Sequence, residues 1–183
     1  MSKSFVLRLD PKLFEELRHQ AAVQQSSINA YCVSLLKKSK SSAAQLDTTV
    51  DHLRSEFGGD LLAVVLFGSA ARGTQTISSD VDLMIVLKDD VTIGKALYRR
   101  WDAGLANHPN AALSEQISPH FVHLVPDVRI AGSLWLEVAI EGKILWTSSQ
   151  VMETKLRELR NLIAEGKFKR SYSYGIPYWK KVA

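Results

Sequence analysis

The sequence predicts an α+β protein in two parts: a small N-terminal strand–helix–helix segment, residues 1–42, and a mixed β-sheet flanked by helices, residues 43–183. Three observations support this. Alternating apolar residues open the chain and lead into two helical patterns. An apolar run over residues 61–67 ends at Gly68-Ser69, and a second run, over residues 81–87, is entered through two aspartates one residue apart, Asp80 and Asp82.

The N-terminal segment combines strand periodicity with two helix starts. Asp10-Pro11 is typical of an N-cap followed by proline in the first turn, and Ser27 can cap a second helix after the polar break at residues 24–26. The lysine- and serine-rich residues 37–42 favour a short hinge. About forty residues are too few to bury these apolar faces alone, so we expect a homodimer.

The second part predicts a site for a divalent cation. In a strand alternate side chains share a face, so Asp80 and Asp82 project together. Two adjacent carboxylates repel each other unless a cation lies between them, and Mg²⁺ prefers oxygen ligands. The glycine at Gly68 allows backbone to approach a phosphate closely, and Ser69 and the following amides can donate to it. The alternative is that the two aspartates cap a hairpin on a solvated loop.

Ten residues separate Ser69 from Asp80, and an Arg-Gly pair follows at Arg72-Gly73. Residues 44–147 with this spacing resemble the minimal nucleotidyltransferase domain of the DNA polymerase β superfamily. The resemblance implies that Gly68, Ser69 and Arg72 bind a nucleoside triphosphate. It also implies that Asp80 and Asp82 are catalytic ligands of Mg²⁺, with Mn²⁺ as an alternative.

That family carries a third carboxylate on a neighbouring strand, and its expected place here holds His123. An imidazole can accept a proton but is a poor Mg²⁺ ligand, so His123 is the third predicted catalytic residue and the enzymatic activity depends on it. Asp127 and Glu115 are possible substitutes. The alternative is that His120 and His123 are two histidines on one face of a half-exposed strand.

Residues 3–40 resemble the ribbon-helix-helix repressors of the Arc and MetJ type, in which strands from two chains pair and enter the DNA major groove. The resemblance implies that one set of residues faces base edges and that another meets a phosphate at a helix start. The first set is Ser4, Val6 and Arg8; the second is Ser27, Ile28 and Asn29. The alternative is a dimerisation segment that does not bind DNA.

Charge is unevenly distributed along the chain. The net charge is +4, but residues 1–40 carry +4, residues 151–183 carry +5 and the middle carries −5. Basic ends beside an acidic centre favour contacts with nucleic acid away from the cation site. The start of the chain lacks the apolar run of a signal peptide and no run is long enough to span a membrane, so we expect a cytoplasmic protein.

Helices are also predicted over residues 44–57, 91–105 and 151–165. A further segment from Leu134 to Ile144 is predicted as a helix that runs into Gly142 and a short strand. The basic aromatic tail from Phe168 suits single-stranded nucleic acid, a partner protein, or packing on its own domain.

Two function classes follow. The first is a metal-dependent enzyme that transfers a nucleoside monophosphate from an NTP to a hydroxyl of RNA, protein or a small molecule. Its duplex-DNA-binding arm would repress its own operon, as in toxin–antitoxin pairs. The second is a transcriptional regulator whose nucleotidyltransferase fold is inactive. Whether His123 leaves a working site distinguishes the two.

Overall fold

The computed structural model describes residues 6–74, 79–106, 117–173 and 176–182. The chain divides into two compact units, Met1–Leu46 and Asp47–Ala183. None of the helices in the described residues is long and apolar enough to cross a bilayer.

The two predicted helix starts of the N-terminal unit are confirmed. Helix α1, Pro11–Val23, begins after Asp10, whose Oδ1 accepts a hydrogen bond from the Leu13 amide at 3.0 Å. Helix α2, Ile28–Phe57, begins after Ser27, whose hydroxyl accepts from the Ala30 amide at 3.2 Å. Both caps satisfy amides that would otherwise have no partner within the helix.

The hinge predicted at residues 37–42 is wrong, because α2 continues through them. No glycine or proline occurs between residues 28 and 57, so the backbone meets no helix breaker. Residues 6–10 form no regular secondary structure in this single chain. A ribbon strand would need a second chain to pair with, so the ribbon-helix-helix assignment stays a prediction.

The second unit is built on a mixed four-stranded sheet, as the sequence predicts, in the order β3-β2-β1-β4. Strand β1 pairs antiparallel with both β2 and β4, whereas β2 and β3 are parallel. The strands are β1 Leu61–Phe67, β2 Val81–Leu87, β3 Ile117–His123 and β4 Lys143–Thr147. The helices are α3 Gly68–Arg72, α4 Lys95–Ala106, α5 Ser133–Glu141 and α6 Val151–Ala164.

Helices cover both faces of this sheet. On one face Met84 and Val86 of β2 pack in a core with α5 and α6, to which Leu136 and Leu156 contribute. On the other face, the ring of Phe121 in β3 lies 5.9 Å from that of Phe57 and 6.0 Å from that of Trp101. Strand β1 is buried almost throughout because it is central and covered on both sides. This burial fixes the strand ends from which the site is built.

Two predicted boundaries need correction. Helix α4 begins at Lys95 rather than at residue 91, because residues 88–91 form a turn and Gly94 provides the first helical carbonyl. Helix α5 ends at Glu141, and Gly142 is the C-cap that leads into β4.

The basic aromatic tail folds as a hairpin against its own domain, one of the three outcomes considered. It comprises β5 Phe168–Ser173 and β6 Ile176–Lys181. Phe168 is buried, and the Glu137 carboxylate of α5 accepts hydrogen bonds from the Trp179 indole at 2.8 Å and from the Arg170 guanidinium. These side chains lie on the face of the hairpin that contacts α5. Nucleic-acid binding by the tail stays a prediction.

Candidate functional site

The site is centred on the turn between β1 and α3. The antiparallel pairing of β1 with β2 sets Phe67 opposite Asp82, so Gly68 lies directly beside the Asp82 carboxylate. Gly68 has φ +70°, and a Cβ placed on it would lie 2.2 Å from Asp82 Oδ2. Only glycine fits this position, because both the backbone angle and the neighbouring carboxylate exclude a side chain.

Asp80 and Asp82 occupy different environments. Strand β2 begins at Val81, so Asp80 is exposed at the entrance to the strand, whereas Asp82 is half-buried within it. Burial raises the pKa of the Asp82 carboxyl above its ordinary value of 3.8, and the Asp80 charge acts in the same direction. His120 and Arg72 partly offset this rise in pKa. An additional cation beside Asp82 would favour its ionised form.

The histidine beside the two aspartates is His120. Its Nε2 lies 3.6 Å from Asp82 Oδ1 and 3.4 Å from the Ser118 hydroxyl, and its ring meets that of Phe67 edge-on at a centroid distance of 5.1 Å. The parallel pairing of β2 with β3 aligns Asp82 with Ser118 and Met84 with His120. From the sequence, His120 is expected only as one of two histidines on a half-exposed strand, in the alternative interpretation.

The structure does not bring His123 to the site. Residues three apart in a strand point to opposite faces, so His120 and His123 do not share a face as the alternative interpretation supposed. His123 is aligned with Leu87, and its Nε2 lies 2.8 Å from the Val91 carbonyl. A substitution that restores a third carboxylate therefore belongs at position 120.

Asp127, one of the two possible substitutes for the third carboxylate, has its partners elsewhere. Asp127 caps the short 3-10 turn Val128–Ile130 and pairs with Arg129 at 2.9 Å. This hydrogen bonding with Arg129 lowers the pKa of the Asp127 carboxyl. Glu115 lies outside the described residues.

A carboxylate that the sequence analysis missed faces the turn from α5. Glu141 Oε1 accepts a hydrogen bond from the Gly68 amide at 3.1 Å, and Arg72 Nη1 lies 2.7 Å from each Glu141 oxygen. The Glu141 side chain is 9% exposed and that of Arg72 is 46% exposed. Two of the predicted nucleotide-binding residues, Gly68 and Arg72, thus share one buried partner.

The donor set suits a hard divalent cation. Asp80 and Asp82 provide carboxylate oxygens, and Mg²⁺ commonly binds one or two carboxylates while the substrate phosphates complete its coordination. Within the described residues no group of three or more His, Cys, Asp or Glu side chains could hold a metal ion. The pair of aspartates thus fits a cation that arrives with a phosphate ligand better than a closed structural metal site.

The predicted DNA-binding residues lie at the start of the chain and at the start of α2. Ser4 lies outside the described residues, and Val6 and Arg8 are exposed. Around the start of α2, Ser27 and Asn29 are exposed and Ile28 is half-buried. Their exposure leaves them accessible, and their contacts with DNA stay a prediction.

Comparisons with known proteins connect the second unit to one family. A model of the nucleotidyltransferase domain matches residues 46–137, half of the chain, and a model of the HicB family matches residues 1–36. A putative protein adenylyltransferase of Methanocaldococcus jannaschii is 46% identical over 44 residues, which are 24% of this chain. The chain matches only 30% of the length of that relative.

Solved structures give a more distant likeness. A toxin-antitoxin crystal structure with AMP-PNP has a TM-score of 0.46 at 22% identity, over 66% of this chain and 88% of that one. A tri-AMPylated Shewanella oneidensis HEPN toxin in complex with MNT antitoxin gives 0.44 at 19%, over 67% and 88%. Both TM-scores are below 0.5, so these likenesses do not bear on the function of this chain.

The close approach at Gly68 can be tested against Gly73, which has a similar φ of +72° but, among the described residues, no contact within 4 Å of an added Cβ. We expect Gly73→Ala to cost about 1–2 kcal/mol of unfolding free energy through backbone strain alone. Gly68→Ala should cost about 1–3 kcal/mol more, because Asp82 must move. Urea denaturation measures both, and equal losses would contradict the contact.

The raised pKa of Asp82 predicts an unusual pH dependence. The folded state holds this proton more tightly than the unfolded chain, so the stability that it contributes is present below about pH 3.8 and is lost as the pH rises through the folded pKa. At pH 7 the ionised carboxylate therefore destabilises the metal-free protein. Asp82→Asn should raise Tm by a few degrees at pH 7 in EDTA, and the gain should shrink towards pH 4.

Asp89→Asn is the control for this pH dependence, because Asp89 is exposed in the turn after β2. It should leave Tm unchanged across the same pH range. A Tm for Asp82→Asn below that of the wild type at pH 7 would show that pairing with His120 outweighs the cost of burying the carboxylate.

Proposed function

The chain belongs to the nucleotidyltransferase domain family, and we propose that it transfers a nucleoside monophosphate from an NTP to an acceptor hydroxyl with the aid of Mg²⁺ or Mn²⁺. One observation carries the proposal: the Asp82 carboxylate lies against the Gly68 turn with no room for a side chain between them. A cation on the carboxylate and a phosphate on the turn would then be neighbours, as phosphoryl transfer requires.

Each residue of the site has a role in this reaction. Asp80 and Asp82 would hold the cation, which when bound neutralises the charge of the triphosphate. The Ser69 hydroxyl and the guanidinium of Arg72 would bind phosphate oxygens. The acceptor oxygen forms a bond to the α-phosphorus while pyrophosphate leaves. His120, beside Asp82, replaces His123 as the side chain placed to take the acceptor proton.

The curated relative bears on the choice of substrates. It is named as a putative protein adenylyltransferase, and its matching segment shares 46% identity with this chain. We therefore propose ATP as the nucleotide and a protein hydroxyl as the acceptor, ahead of RNA or a small molecule. Membership of a toxin–antitoxin pair stays a prediction.

The second candidate function is a regulator with an inactive nucleotidyltransferase fold. The observation that favours it is the histidine at position 120, because the family resemblance calls for a carboxylate on this strand and imidazole binds Mg²⁺ poorly. In this case the site would bind nucleotide without transferring it. Binding and transfer must therefore be measured separately.

The test of the enzymatic proposal follows label from α-phosphate-labelled ATP into protein, with and without Mg²⁺. Asp80→Asn should lower transfer on the order of a hundredfold or more, since it removes a cation ligand from an exposed position with little effect on folding. Asp89→Asn is the matched control and should transfer as the wild type does. Binding of ATP and Mg²⁺ without transfer would favour the regulator, and no binding at millimolar ATP would end the enzymatic proposal.

We further propose that the N-terminal unit forms a homodimer and binds duplex DNA. Large apolar side chains of this unit are exposed in the single chain, which supports a second copy as their cover. They include Val6, Leu7, Leu13, Phe14, Val23, Val33, Leu35 and Leu36. A model of the HicB family matches residues 1–36, which supports treating this segment as a separate domain.

The DNA-binding proposal is tested at Arg8, which is exposed ahead of α1. If Arg8 contacts a guanine, Arg8→Ala should cost about 1–3 kcal/mol on the operator and much less on random duplex DNA. Lys12→Ala is the control, since it removes an exposed positive charge four residues away. Mobility-shift titrations measure both variants, and equal losses on operator and random DNA would reduce Arg8 to a phosphate contact.

A further inference from the structure

We propose that Glu141 is a positioning residue that holds the Gly68 turn and Arg72 in the geometry that binds a triphosphate. The inference rests on the proposed nucleotide site and adds a residue from a different part of the chain. Glu141 is 73 positions from Gly68 and 69 from Arg72, yet it contacts both.

Sheet pairing brings Glu141 to the turn. Strand β4 runs antiparallel to β1 with Lys143 opposite Leu66, so the chain just before β4 meets the chain just after β1. Gly142 makes this junction tight, because an added Cβ would lie 2.5 Å from the Val138 carbonyl oxygen and 3.0 Å from a Val65 methyl. The end of α5 is thus held against β1, which places the Glu141 carboxylate beside the Gly68 amide.

The hydrogen bonds of Glu141 identify what it orients. One carboxylate oxygen accepts from the Gly68 amide, which fixes the turn, and both oxygens lie 2.7 Å from Arg72 Nη1. A guanidinium has five N–H donors, so Arg72 retains donors for a phosphate after this pairing. The Arg72 side chain is 46% exposed, which leaves those donors accessible.

Charge gives Glu141 a second effect through Arg72. Arg72 closes the helical turn that begins at Gly68, and Asp82 lies against Gly68, so the guanidinium and the carboxylate carry opposite charges at the same turn. An Arg72 without Glu141 would be drawn towards Asp82, where it would compete with the cation. The buried carboxylate keeps the positive charge on Arg72 engaged at the turn and leaves Asp82 available for the metal ion.

The test compares Glu141→Gln with Glu137→Gln in the full chain. Glu137 lies one turn earlier on α5 and also pairs with an arginine, Arg170, but on the hairpin rather than at the turn. Calorimetry with Mg²⁺ and either ATP or AMP gives the affinities, and thermal denaturation gives the stabilities. Glu141→Gln should weaken ATP binding about ten- to hundredfold and AMP binding much less, because the lost orientation concerns the β- and γ-phosphates.

Arg72 provides the second measurement. If Glu141 acts through Arg72, the double variant Arg72→Ala/Glu141→Gln should bind ATP no more weakly than Arg72→Ala alone. Additive losses would overturn this, as would wild-type or tighter ATP binding by Glu141→Gln. Equal losses for ATP and AMP with a Tm below that of Glu137→Gln would reduce Glu141 to a structural role. If the wild type bound no ATP, the proposed function itself would be contradicted. If the wild type binds ATP and Glu141→Gln binds it equally well, only the role of Glu141 is contradicted.

Discussion

The site depends on the antiparallel pairing of β1 with β2. It sets Phe67 opposite Asp82, and the next residue, Gly68, turns into α3 against that carboxylate. Both strands are buried for most of their length, so neither end can shift without disturbing the core. The turn proposed to bind phosphate and the carboxylate proposed to bind a cation are therefore fixed relative to each other by the same apolar packing that folds the sheet.

Electrostatics follow from this placement. The pairing half-buries the Asp82 carboxyl and leaves the negative charge of Asp80 nearby, and both effects disfavour the ionised form of Asp82. Arg72 and His120 relieve part of this charge, and Glu141 pairs with Arg72. If a cation binds here as proposed, it would offset the cost of burying the Asp82 charge, an example of the exchange of stability for function.

Local features of the sequence predicted the parts of the site that are close in the chain. The spacing from Gly68 to Asp82 could be recognised because a turn and the following strand determine it. Helix starts at Asp10 and Ser27 were predictable for the same reason, since a cap acts over three residues. The hinge at residues 37–42 was wrong because lysine and serine weaken a helix only slightly, and nothing there breaks it.

Contacts between distant segments could not be predicted in the same way. Strand periodicity alone separates His120 from His123, but the register of β3 against β2 is needed to show that His120 lies beside Asp82. Glu141 reaches Gly68 only because β4 pairs with β1, and the short segment Glu141-Gly142 gives no signal of this in the sequence.

The position of His120 determines which side chain of β3 could take part in the proposed reaction. His123 is aligned with Leu87, away from Asp82, so it gives the site no third side chain from β3. At position 120 the imidazole shares Asp82 with the cation that Asp82 would bind. An imidazole can accept a proton but is a poor ligand for Mg²⁺. In the proposed reaction, His120 would therefore contribute a proton acceptor to the site rather than a third metal ligand.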